Sequence, residues 1–132
     1  MHKAKFVFGA LVALHAAAFA QSATFQTPSL TPETALVAAR AALQACRKQG
    51  YQVSVAVVDR AGLTQVLLRD RLAGAHTPTI ATDKAWTAAS FRSNTSLLAG
   101  EMQASKPMSG LKQSPHVMAV AGGVLIEGAG SS

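Results

Sequence analysis

Apolar residues run almost unbroken from Phe6 to Ala18, then recur at helical spacing, then alternate at period two. Each change of period marks a change of element. The first run follows a short basic start (His2, Lys3, Lys5) and ends in Ala18-Phe19-Ala20, the small-x-small pattern that a signal peptidase cuts. Residues 1–20 are therefore expected to be a signal peptide, with Gln21 the mature start. An uncleaved anchor is the alternative, but the run falls short of the ~20 residues that cross a bilayer comfortably. No later stretch is apolar enough to span, so the mature chain is expected to be periplasmic or secreted, with no membrane partner.

Residues 21–30 form an extended lead-in without a structural period. Thr31-Pro32-Glu33 then supplies an N-cap, a first-turn proline and an acid at the positive helix end. Leu36, Ala39, Leu43 and Cys46 follow at helical spacing and Gly50 closes the segment, which predicts a helix over 32–49. From Gln52 to Asp59 the period becomes two, with Val53, Val55 and Val57 on one face and Ser54, Ala56 and Val58 on the other. Both faces are small or apolar, so the strand should be covered on both sides. Asp59-Arg60-Ala61-Gly62 makes a turn, and Leu63 to Arg69 returns as the second strand of a hairpin.

Asp70 to His76 is a loop, and Thr77-Pro78 repeats the cap-then-proline device, starting a second helix that runs to about Phe91. Ala81, Ala85 and Ala88 give this helix a small-residue face suited to packing on a sheet. Asn94-Thr95-Ser96 caps a short helix through Met102, and 103–116, with Pro107, Gly110 and Pro115, is mostly loop. Val117 to Ile126 is a last apolar run, read as a strand bent at Gly122-Gly123. The order of elements is that of a mixed α/β (α+β) domain occupying residues 31–132.

Composition narrows the function classes. The 132 residues carry 12 lysines and arginines against six acids. Cleavage after Ala20 removes two of the twelve and none of the six, leaving a net charge of +4. The basic residues are scattered, with one Trp and one Tyr in the whole chain, which argues against nucleic acid as partner. A mildly cationic surface suits a small anionic ligand. Cys46 is the single cysteine, so the chain holds no internal disulfide. Beside Leu43 on an apolar face it reads as a buried, inert thiol.

Candidate chemistry is sparse. No nucleophile elbow, phosphate loop or zinc spacing occurs. Asp59 reads first as the cap of its own turn. His76 stands at a helix start, where backbone N–H groups attract anions, while its imidazole is a metal ligand. A ligand with both a metal and carboxylates, as haem has, uses both features. Lys84 lies two turns further on, either as a snorkelling surface lysine or as a contact for an anionic group. Arg69 and Arg71 flank the loop leading to His76, and His116 beside Pro115 reads as a plain loop residue. Trp86, Phe91, Met102 and Met118 serve either as core or as an apolar pocket lining.

Three stretches carry a family resemblance: YQVSVAVVDRAGLTQVLLRD at 51–70, AGAHTPTIATDKAWTAASFRSNTS at 73–96, and MAVAGGVLIEGAG at 118–130. Together they resemble the GlcG/HbpS family of haem-binding and haem-degrading-type proteins, to which the C-terminal domain of some corrinoid adenosyltransferases is related. The resemblance implies a three-layer, profilin-like fold, with helices on both faces of an antiparallel five-stranded sheet, and a homo-oligomer. It also implies an exported protein that captures or senses haem, any haem-degrading activity being secondary. By the same resemblance the haem contacts fall on His76, Thr77 and Lys84, and Arg69, which flanks the loop, is within reach of the same place. The iron ligand is His76 or Thr77, with His76 favoured because neutral imidazole ligates iron better than a hydroxyl does. A small organic-acid-binding or accessory enzyme subunit of the GlcG type is the alternative, with Asp59, Lys84 and Arg69 as its polar groups. Family members continue past the glycine-rich turn with a further strand and a C-terminal helix. On that comparison the domain is expected to be truncated at its C-terminus.

Overall fold

The computed structural model describes residues 23–128; the expected signal peptide lies outside them. Residues 24–30 carry neither helix nor strand, but their end is tied down. Leu30 packs against the core, and its carbonyl accepts a 2.7 Å bond from Gln65 Nε2. Helix α1 spans Pro32–Lys48, capped as its sequence predicts by Thr31, whose Oγ1 accepts the Thr34 amide at 3.3 Å. Strands β1 (Ser54–Val58) and β2 (Thr64–Arg69) pair antiparallel with a bulge between Val57 and Val58. Helix α2 spans Thr77–Phe91 and α3 spans Thr95–Glu101, with a 3-10 turn at Ser109–Gln113.

The alternation of the hairpin decides the layers. Val55 pairs with Leu68 and Val57 with Val66, so these four share one face, and Ala35 and Ala39 of α1 close over it. Both alanines are fully buried, which lets the helix backbone approach the sheet closely. The opposite face carries Ser54 and Ala56, and α2 packs there mainly against β1. Ser54 Oγ and Thr77 Oγ1 meet at 2.7 Å across that boundary. Helix, sheet, helix is the expected three-layer order. At the hairpin tip the Trp86 ring lies over Gly62, where an added Cβ would stand 2.7 Å from the indole Cδ1. Gly62 also has φ +83°, so both conformation and space require glycine there.

Two expectations fail. Residues 117–126 do not form a strand; among the described residues the sheet has two strands. The segment runs instead beside α2 and α3, where side chains satisfy much of its backbone. Thr87 Oγ1 donates to the His116 carbonyl (3.1 Å) and accepts from the Met118 amide (2.8 Å). Thr95 Oγ1 donates to the Val120 carbonyl (2.7 Å) and accepts from the Gly123 amide (2.8 Å). Threonine hydroxyls thus take the place of a neighbouring strand.

The caps are the second correction. The cap position of α2 is His76 rather than Thr77, and no side chain caps it. Thr77 Oγ1 turns back to the Gly74 carbonyl at 2.8 Å because it also bridges to Ser54. Asn94 holds the cap position of α3, but its Oδ1 is drawn away to the Leu125 amide at 3.0 Å.

One ion pair links α1 to the loop after β2. Arg47 Nε and Nη2 grip Asp70 Oδ2 and Oδ1 at 2.7 and 2.8 Å, and the Arg71 amide adds a third bond at 3.0 Å. The guanidinium hydrogen bond holds the buried Asp70 carboxyl below the usual carboxylate range, against the opposing pull of burial. A carboxyl lowered in the folded state stabilises above its unfolded pKa, about 3.9, and that stability disappears as pH falls through the folded value. Urea stability is therefore expected to fall on acidification below about pH 4, and the fall should be shallower in Asp70→Asn. Equal acid slopes in the two proteins would exclude this pair as their cause.

Candidate functional site

The loop from Asp70 to His76 is shaped by its own backbone and by one arginine. Ala73 N bonds to Asp70 O at 3.1 Å and Thr77 N to Gly74 O at 3.0 Å, two consecutive turns that deliver the chain into α2. Arg69 Nε and Nη2 both donate to the Ala73 carbonyl, the former at 2.9 Å, so the guanidinium clasps the loop. His76 stands exposed at its end, with its ring folded over Gly74: an added Cβ at Gly74 would lie 2.7 Å from His76 Cε1.

Of the residues singled out in the sequence, the structure brings Arg69, His76 and Thr77 around this loop. Among them the imidazole is the free donor. Its ring nitrogens have no hydrogen-bond partner among the described residues, whereas the Thr77 hydroxyl is spent on Gly74 and Ser54. Lys84 is placed apart, two turns along α2, with Nζ donating to the Ala121 carbonyl at 3.0 Å. Asp59 is a turn residue: its Oδ1 accepts the amides of Ala61 (2.8 Å) and Leu63 (2.9 Å). The neighbourhood of His76 is open rather than enclosed. Two shallow depressions lie elsewhere, of about 400 Å³ beside Met102 and Lys112 and about 360 Å³ between Arg92 and Leu125.

The partner of His116, read in the sequence as a plain loop residue, was not visible there. His116 Nδ1 lies 3.0 Å from Asp83 Oδ1, and its ring centroid is 6.1 Å from that of Trp86. The two members of the pair are 33 residues apart, and no spacing rule connects a loop histidine to a mid-helix aspartate over that distance. Among the described residues no group of three or more His, Cys, Asp or Glu gathers as a metal cage, and no helix is long and apolar enough to cross a membrane.

Comparison with known proteins gives a consistent picture. The family model described as haem degrading protein HbpS-like matches residues 30–131. A crystal structure of HbpS is 41% identical over 83% of this chain and 75% of its own, with a TM-score of 0.75. A double mutant of Streptomyces reticuli HbpS is 35% identical, covering 98% of this chain and 79% of its own, also at 0.75. Klebsiella pneumoniae protein ORFY, at 24% identity, 75% and 70% coverage and a TM-score of 0.67, shares the fold. A search of curated proteins finds no match.

Proposed function

The chain belongs to the HbpS-like haem degrading protein family, and from that premise we propose that it is an exported protein that binds haem for capture or sensing. The observation that carries the reading is the free imidazole of His76 at the exposed start of α2. One protein nitrogen would suffice to hold haem iron, and the imidazole of His76 would supply it at this loop. His76 fits that requirement better than Thr77, whose hydroxyl is already engaged on both sides. Arg69, anchored on Ala73 next to this loop, and the first amides of α2 suit the anionic carboxylates of such a ligand. Lys84 stands apart from this group, with its Nζ on the Ala121 carbonyl. Bound haem supplies redox-active iron; the residues of this chain bind and orient it.

The organic-acid alternative has no comparable support. Its polar groups Asp59, Arg69 and Lys84 each bond to backbone and do not converge on one space. The deciding experiment is a haemin titration of residues 21–132 followed by absorbance. A saturable Soret shift is expected, weakened and displaced in His76→Ala. A wild-type spectrum in that variant removes His76 as ligand, and a well-folded protein that takes up no haemin removes the haem reading altogether.

A further inference from the structure

The His116–Asp83 pair has the construction of a metal-ligating histidine. An ionised carboxylate only accepts, so the 3.0 Å contact places a proton on His116 Nδ1, and in the neutral ring Nε2 is the nitrogen that carries the lone pair. Ligating imidazoles are characteristically held in this way, their second nitrogen donating to a carboxylate that fixes the ring and raises its basicity. Asp83 is mostly buried, at 16% side-chain exposure, while the His116 side chain is 67% exposed. The anchor is inside and the donor faces out.

The backbone is built around the same residue. His116 has φ +68°, a left-handed conformation uncommon for any residue with a Cβ, and one that needs to be held. The fully buried Thr87 holds it, bonding the His116 carbonyl and the Met118 amide with one hydroxyl. Trp86 flanks the ring on the helix side. His76, by contrast, has neither a partner to set its tautomer nor a carboxylate behind it.

One imidazole is too small a donor set for a free divalent cation, and its aspartate is already occupied. It is sufficient for iron whose equatorial positions are filled. Lys84 lies next to Asp83 on α2 and reaches Ala121 of the same 116–123 segment, which adds a cation on that side for an anionic ligand. We propose that His116, backed by Asp83, is a second imidazole site for haem iron, separate from the one at His76. This inference rests on the haem reading above.

The test is a haemin titration of four proteins: wild type, His76→Ala, His116→Asn and His116→Gly. Asparagine and glycine both tolerate the left-handed backbone, so neither replacement adds strain to it. Wild type is expected to show two classes of Soret-active site, and each His116 variant to lose one of them. Free imidazole added to His116→Gly should restore the lost class. In a His76→Ala background, Asp83→Asn should keep haem bound but raise the iron midpoint potential, since the ligand loses basicity; a purely structural aspartate would not move it. His116 variants that titrate like wild type overturn the second site and leave His76 standing. Loss of a class in the His116 variants alone supports it at the expense of His76. No uptake by wild type overturns both.

Discussion

Replacing Gly123 by alanine is expected to destabilise the protein by about 3 kcal/mol, the upper part of the range for overpacking a close contact. An added Cβ would lie 2.6 Å from the Lys84 carbonyl oxygen and 3.1 Å from its carbon, both helix backbone. It would also lie 2.7 Å from Thr95 Cγ2, and that methyl cannot swing away while Thr95 Oγ1 is bonded to Val120 and Gly123. None of the three is the free end of a flexible side chain, so α2 and the segment must part. Gly100 in α3 is the control: nothing lies within 4 Å of its added Cβ, and alanine there should be neutral or raise stability by up to about 1 kcal/mol. Urea unfolding of the two variants checks the contrast. If Gly123→Ala unfolds at the wild-type midpoint, the 117–125 segment does not lie against α2 as described. Because His116 immediately precedes that segment, its displacement should also weaken whatever His116 binds.

Legibility in the sequence followed the locality of the forces. Helix α1 was readable because Thr31, Pro32 and Glu33 act within one turn. The hairpin was readable because alternation at Val53, Val55 and Val57 and the Asp59 turn are local too. The layer order followed, since a strand apolar on both faces must be covered twice. What failed was set by partners far along the chain. Val117 to Ile126 has the composition of a strand, but whether its amides meet a strand or the hydroxyls of Thr87 and Thr95 is decided about 30 residues away. A threonine inside a helix gives no advance notice of that role. Asn94 illustrates the same competition, its side chain leaving the cap it was expected to make for the Leu125 amide. The candidate residues divide along this line. His76 stood out because a helix start is visible in sequence, whereas the pairing of His116 with Asp83 forms only across the fold.

Thr95→Val should cost a similar amount, about 3 kcal/mol, for the opposite reason: it changes polarity and not shape. Valine fills the same volume, so no cavity opens, and the whole effect comes from polar groups left without partners. The Thr95 hydroxyl has one hydrogen. Its 2.7 Å bond to the Val120 carbonyl is the principal one and the 3.3 Å approach to the Gly123 carbonyl secondary, while its lone pair takes the buried Gly123 amide. Losing that acceptor strands a buried N–H, the more expensive half of the change, at roughly 1–3 kcal/mol. The Val120 carbonyl loses its donor as well. The Gly123 carbonyl keeps the Thr95 amide at 3.0 Å, so the segment loosens at Val120 and at the Gly123 amide while remaining pinned at one point. Thr95→Ser retains the hydroxyl and should cost only about 1 kcal/mol, the loss of one buried methyl group. The same serine removes Cγ2, one of the obstructions to alanine at position 123, but leaves the Lys84 carbonyl in place. The double variant Thr95→Ser, Gly123→Ala should therefore be more stable than the sum of its single costs, yet less stable than Thr95→Ser alone. A double-mutant cycle by urea unfolding measures both inequalities. Strict additivity would mean that the Thr95 methyl does not press on residue 123.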